Sequence, residues 1–259
     1  MLWAMTLHLE AIVEGPDSGA TLVFIQGWPD DATLWDEQVR SLSVRYRCVR
    51  TTMPNFDGRR STRWGYRTED IVEALAEMVR GVSPDAPVTL VLHDWGSYWG
   101  HLLHHRHPDL VARVAGLDVA PHVEPSPGAI LGIIAYQWWL VGAFVLGGPI
   151  GDWMTRSLAR AVGAPMPPAQ INSWMNYPYR NVWQNILSER ARNQIEGYWP
   201  QLPLLFVNGK RKPFPFHSKK WIEHVERTGG RVVGLDCGHW VSRDPAFGGI
   251  LEGWLEATS

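Results

Sequence analysis

The sequence predicts an α/β fold: a mainly parallel β-sheet flanked by helices, interrupted by a helical cap insertion. Three observations carry that expectation. Short apolar runs alternate with helix-spaced segments over residues 1–121, the pattern of strands covered on both faces by crossover helices. The alternation stops at about Pro121 and resumes at Leu204, so 122–200 reads as an insertion between two parts of one core, 1–121 and 201–259. A chain of 259 residues holds one such core without a disulfide or metal staple.

Each element has its own signal. Thr6–Val13 alternates like a first strand, and Ala20–Ile25 is an apolar run stopped by the turn Gln26-Gly27-Trp28-Pro29-Asp30. Leu34–Leu42 reads as a helix, Tyr46–Thr52 as a strand and Pro54–Ser61 as a loop. Thr68–Arg80 is amphipathic at helical spacing, with Thr68 as the expected N-cap and Glu69 and Asp70 placing acid in the first turn. Pro87–Leu92 is a buried-strand pattern that runs straight into His93-Asp94-Trp95-Gly96-Ser97. A helix over Tyr98–His105 and a strand over Val114–Leu117 follow. Beyond the insertion come the strand Leu204–Val207, the helix Ser218–Arg227, the strand Arg231–Leu235 and a last helix near Ala246–Ala257.

Composition narrows the function. The net charge is near zero, and the basic clusters Arg59–Arg60 and Lys210–Arg211–Lys212 are too short for a nucleic-acid footprint. Cys48 and Cys237 make no disulfide framework and read as buried thiols. Met1–Glu14 has no signal-peptide pattern, so the expected location is cytoplasmic. Residues 129–151 carry no charge over a membrane-spanning length, but glycines and a proline break the run, which favours a buried or interface-facing helix. Peripheral membrane contact through this apolar segment stays open. His101, His104, His105 and His107 read as an exposed helix end and not as a metal site. No metal and no cofactor is expected; the expected partner is a small apolar substrate, and the chain is a monomer or a homodimer.

The chemistry is carried by the strand–turn–helix at Leu92-His93-Asp94-Trp95-Gly96. A nucleophile elbow lifts one side chain above the sheet edge and needs small residues two positions either side. Gly96 fits; Leu92 departs from the pattern. Asp94 stands where an esterase has serine. A carboxylate is ionised at neutral pH without a base, and it can displace a leaving group at an sp³ carbon to form an ester that water then hydrolyses.

His93-Asp94-Trp95-Gly96 resembles the elbow of the epoxide hydrolase and haloalkane dehalogenase group of the α/β-hydrolase superfamily, and the likeness runs across nearly the whole chain. Gln26-Gly27-Trp28-Pro29 resembles the group's His-Gly-x-Pro loop, with Gln26 in place of histidine. The resemblance implies an oxyanion hole made by the backbone N–H groups of Trp28 and Trp95. Gly238-His239-Trp240 is similar to the segment that bears the catalytic base, which implies that His239 activates the water. Where many relatives carry the acid of the triad, this chain has Lys212, and a cation cannot hold an imidazolium. Asp118, after the strand that follows the nucleophile's helix, matches the acid's place in some dehalogenases; Asp236 is the weaker alternative. Asn55-Phe56-Asp57-Gly58-Arg59 resembles a structural loop of the group.

The leaving group is the open choice. Tyr136-Gln137 and Tyr179-Arg180-Asn181 resemble the segments that carry the two cap tyrosines of epoxide hydrolases, with Tyr177 as a substitute. A phenol suits a departing alkoxide. A halide instead needs N–H donors, which Trp95 with Trp138 or Trp139 would supply. The expected substrate-binding positions are Trp138, Trp139, Tyr177 and Trp240. Three readings follow: an epoxide hydrolase, a haloalkane dehalogenase, or a non-catalytic or cyclising ligand-binding relative, the last kept open by Gln26 and Lys212.

Overall fold

The computed structural model describes residues 7–60, 62–187, 195 and 197–258. Its strands are β1 (Ile12–Glu14), β2 (Thr21–Ile25), β3 (Arg47–Thr51), β4 (Val88–His93), β5 (Val111–Leu117), β6 (Leu204–Gly209) and β7 (Arg231–Leu235). The helices are α1 (Asp36–Leu42), α2 (Thr68–Val82), α3 (Trp95–Arg106), α4 (Pro127–Leu146), α5 (Gly148–Ala161), α6 (Tyr177–Leu187), α7 (Lys219–Arg227) and α8 (Pro245–Ala257). The strands form one sheet in the order β1-β3-β2-β4-β5-β6-β7. Only β1 runs antiparallel, against β3; the other pairs are parallel. This is the α/β architecture that the alternation predicts.

The strands alternate their side chains between two faces. Val23, Ile25, Leu90, Leu92, Val114 and Phe206 pack with α2, α3 and α7. Leu22, Phe24, Val91, Ala115, Leu117 and Val207 pack with α1 and α8. β2 and β4 are buried at every residue, which is why their sequences read as unbroken apolar runs.

Several boundaries differ from expectation; α1 starts at Asp36 and not at Leu34, and β5 at Val111 and not at Val114. The first strand is only Ile12–Glu14, set by three pairs with β3; Thr6 lies outside the described residues. The third helix starts at Trp95, directly after Asp94, and not at Tyr98. Thr68 is the first helical residue of α2 and not its cap; Asp70 accepts from the Arg67 N–H instead.

Between β5 and β6 the chain forms α4, α5 and α6, and no strand is described there. Ser126 caps α4 by accepting from the Ala129 N–H, and Gly147 ends it at φ 60°. Only 22% of the apolar window of α4 is buried, so the segment is not a buried core helix and much of its apolar surface is exposed. Leu140, Phe144, Met175, Tyr177 and Tyr179 join the core cluster of the sheet's α2–α3 face. The parallel register pairs Ile25 with Leu92 and His93 with Leu117. Gln26, Asp94 and Asp118 therefore leave the sheet along one edge, the usual site edge of an open parallel sheet.

Candidate active site

Asp94 sits between β4 and α3 at φ 52°, ψ −122°. A non-glycine residue held there stores on the order of 1–3 kcal/mol of backbone strain, which persists only where the surroundings enforce it. Two glycines allow the close packing that does so. A Cβ on Gly96 would lie 2.2 Å from the Ile25 carbonyl oxygen, and one on Gly27 would lie 2.4 Å from Asp94 Oδ2. Leu92, the departure from the small-residue pattern, is accommodated by Gly100 of α3, where a Cβ would come within 2.4 Å of the leucine side chain. The space has moved one turn along the helix.

The Trp28 N–H donates to Asp94 Oδ2 at 2.7 Å, and the Trp95 N–H also donates to this carboxylate. Both expected oxyanion donors thus converge on one side chain. The Trp28 indole N–H donates to Asn176 Oδ1 at 2.8 Å, and Asn176 donates to Thr155 Oγ1 at 2.8 Å, so α5 and the turn before α6 hold the Trp28 ring. No local motif marks this brace, because its members lie far apart along the chain.

His239 Nε2 lies 3.6 Å from Asp94 Oδ1, and His239 Nδ1 lies 2.6 Å from Asp118 Oδ2. Asp118 is fully buried, at φ 67°. Its other oxygen accepts from the Gly209 N–H at 2.9 Å and from Lys212 Nζ at 2.5 Å. Lys212 is thus the counter-ion of Asp118. Asp236, the alternative acid, is exposed and paired with Arg211. Burial disfavours the Asp118 carboxylate, but His239 and Lys212 outweigh it and hold its pKa below the ordinary carboxylate value. Burial likewise opposes ionisation of Asp94, and His239 with the Trp95 N–H reverses this. Burial disfavours the His239 imidazolium, yet its bonds to Asp118 and Asp94 and their charges push its pKa up to about 9.

Two further groups fix the histidine loop. His93 is buried beside His239, ring centroids 4.6 Å apart, and its Nε2 meets the His239 carbonyl at 3.1 Å. Burial and the His239 charge push the His93 pKa down to about 4, so it is neutral. The Trp240 indole donates to Asp30 Oδ2 at 2.7 Å, tying the His239 loop to the Trp28 loop. Burial raises the Asp30 pKa to about 7 despite that bond.

Tyr179 lies over the site from α6, edge-on to Trp95 at 5.1 Å and to Trp28 at 5.9 Å, and the Trp95 indole hydrogen-bonds its phenol. Tyr136 of α4 meets Tyr179 edge-on at 6.1 Å. Burial pushes the Tyr136 pKa up to about 12 and that of Tyr179 well above the ordinary value, and the Asp94 charge adds to both.

Four expected substrate-binding residues have other work. Trp138 and Trp139 lie on the exposed side of α4; Trp138 packs on Trp183, and the Trp139 indole is donated to the Met154 carbonyl. Tyr177 packs edge-on against Phe56 and Tyr66. Trp240 is spent on Asp30. The expected exposed histidine end is corrected in part: His105 is exposed, but His101 is buried, with Nδ1 3.2 Å from the Tyr198 hydroxyl, and His104 Nδ1 is 2.8 Å from the same oxygen. Among the described residues no group of His, Cys, Asp and Glu is arranged to hold a metal.

The sequence model of the alpha/beta hydrolase fold matches residues 20–210. A protein of Xanthomonas campestris pv. campestris named cis-3-alkyl-4-alkyloxetan-2-one decarboxylase is 27% identical over 68% of this chain, and the match spans 60% of that relative's length. Among solved structures, an inhibitor-bound epoxide hydrolase of Bacillus megaterium superposes with a TM-score of 0.73 at 19% identity, covering 96% of each chain. A haloalkane dehalogenase loop variant from Bradyrhizobium elkanii superposes with a TM-score of 0.70 at 15% identity, covering 98% of this chain and 95% of its own. These superpositions report a common fold.

Proposed function

The chain belongs to the alpha/beta hydrolase fold family, and from that premise we propose that it hydrolyses an apolar epoxide to a vicinal diol through an ester on Asp94. The observation that carries this reading is that two phenols, buried Tyr179 and half-buried Tyr136, lie near enough to Asp94 for its charge to raise both of their pKa values. In the first step a carboxylate oxygen of Asp94 attacks a ring carbon, the C–O bond breaks, and the alkoxide takes a proton from a phenol. Burial keeps both phenols protonated in the resting site, ready to donate.

In the second step water attacks the ester carbonyl and gives a proton to His239. The oxyanion forms on an Asp94 oxygen in reach of the Trp28 and Trp95 N–H groups, donors typically worth ~3 kcal/mol each. The tetrahedral species collapses, the diol oxygen recovers the proton from His239, and Asp94 leaves as a carboxylic acid carrying the second proton of the water; that proton returns to the phenolate, which restores both the carboxylate and the phenol. The high basicity of resting His239 fits this order. It depends partly on the Asp94 charge, and alkylation removes that charge. The imidazole then becomes less basic and can be neutral when the water must be deprotonated.

A halide reading is less well supported, because the Trp28 indole is donated to Asn176 and that of Trp95 to Tyr179. A non-catalytic reading sits poorly with a histidine already held by a carboxylate at 2.6 Å. The Xanthomonas relative favours a second substrate class, an alkyl-substituted oxetanone, another strained oxygen ring that a carboxylate can open.

His239→Gln blocks the second step and distinguishes the readings by intact-protein mass. Incubation with an apolar epoxide should add the whole epoxide, with the adduct mapping to Asp94. An adduct formed only from a haloalkane, lacking the halogen, would transfer the assignment to a dehalogenase. A folded variant that gains no adduct from epoxide, haloalkane or oxetanone would overturn the covalent reading.

A further inference from the structure

The outer side of α4 inverts the usual pattern of an exposed helix. Leu131, Ile134, Trp138 and Val145 recur at helical spacing on that side and are exposed, while Leu140, Ala143 and Phe144 are buried. Leu146, and Ile150 and Trp153 of α5, extend the patch; within it Leu131 reaches 71% exposure and Trp153 60%. A solvated helix carries polar residues outward. From Leu131 to Leu146 this stripe is about 22 Å long at the helical rise, and α4 has no charged residue.

One edge of the patch is cationic. Trp138 of the patch packs on Trp183 of α6, ring centroids 5.2 Å apart, with Arg180 one helical turn before Trp183, and Trp64 packs on Phe144 at the buried side of α4. The guanidinium groups of Arg63 and Arg180 lie over the Trp64 ring at 5.0 and 4.8 Å, and that of Arg60 lies over Trp174 at 5.2 Å. Arg60 and Arg180 donate to the carbonyls of Arg63 and Trp64. Among the described residues no acidic side chain forms an ion pair with any of the three. An apolar stripe studded with indoles and edged by unpaired guanidiniums is the chemistry of a membrane interface.

We propose that the outer face of α4 and α5, with its Arg60–Arg63–Arg180 edge, docks the protein on an anionic lipid surface. A second copy of the same face would offer apolar side chains but no acid for these cations; an anionic leaflet offers both. The helix lies on the surface and does not cross it, because its opposite side supplies Leu140 and Phe144 to the core. The residues of this face touch neither Asp94 nor His239, so the proposal stands or falls apart from the chemistry assigned to them.

The test is co-sedimentation of the full chain with vesicles of phosphatidylcholine, with and without phosphatidylglycerol. The wild type should bind the mixed vesicles and bind pure phosphatidylcholine more weakly, with salt narrowing the difference. Leu131→Glu with Val145→Glu should reduce binding by more than about tenfold at an unchanged melting temperature. Arg60→Gln, Arg63→Gln and Arg180→Gln should each cost about fivefold on the anionic vesicles only. A wild type that stays in the supernatant with both vesicles overturns the proposal. So does a glutamate variant that binds as the wild type does. A wild-type dimer in sedimentation velocity, dissolved by the glutamate variant and with no vesicle binding, would assign the face to a second copy.

Discussion

Asp118 is a buried carboxylate held between two cations, and its protonation state governs the histidine it holds. Asp118→Asn keeps the shape but removes the charge and allows the wrong imidazole tautomer. Turnover should fall roughly 10³–10⁴-fold, with the Asp94 ester accumulating, since the loss falls on the water step; an unaffected steady-state rate would exclude Asp118 from the triad. Lys212 acts at one remove. Its cation stabilises Asp118 when His239 is neutral, so Lys212→Met should make the imidazole more basic. Activity that rises with pH as His239 deprotonates should then rise about one pH unit later, whereas Lys212→Arg should retain the wild-type profile. An unmoved acidic limb in Lys212→Met would leave Lys212 a packing residue. Asp94 and His239 were legible because their motifs are local, a few residues around one turn. Lys212 was only half legible. Its sequence position ruled it out as an acid, but its partner lies far back in the chain at Asp118, and only the parallel pairing of β5 with β6 brings the two together.

The helices of the insertion decide which leaving group the site can serve. α6 sets Tyr179 between Trp28 and Trp95, and α4 sets Tyr136 against it. Tyr179→Phe removes one donor without opening the packing. It should slow alkylation of the His239→Gln background by an epoxide about 10²-fold and leave any slow reaction with a haloalkane unchanged, as read from the growth of the adduct mass. Equal slowing of both would mean that the ring positions the substrate and the hydroxyl is not the donor. The core elements could be read from sequence because each strand is an apolar run covered on both sides and each covering helix has one apolar stripe. The insertion could not be read so finely. α4 is apolar all round, so periodicity cannot say which side faces in, and Trp138 and Trp139 were expected in the site when they lie outside it. The histidines of α3 failed for the converse reason: a polar residue type suggested exposure, but Tyr198, distant in sequence, covers His101 and His104.

At the scale of the molecule, the site is where the ends of β4 and β5 and the loop after β7 meet, so the ionic contacts that prepare the chemistry also join the two sequence-separated parts of the core. This links stability to pH with a definite sign. The His239 pKa is about 9 in the folded chain, against about 6.5 when unfolded. A raised histidine contributes stability that is fully present below pH ~6.5 and is lost as pH rises through about 9. Asp94 and Asp118 have lowered values; the stability they confer is present above pH ~4 and is lost as pH falls through their folded values. The same contacts produce both limbs, so the contributions are not additive. The basic limb is the cleaner measurement, on the order of 3 kcal/mol for a displacement of this size. The melting temperature of the wild type should therefore drop several degrees more between pH 6.5 and pH 9.5 than that of His239→Gln, whose neutral amide has nothing to titrate in this window. Parallel curves for the two proteins would mean that His239 is not held as an imidazolium in the resting chain, and the deprotonation on alkylation assigned to it would lose its basis.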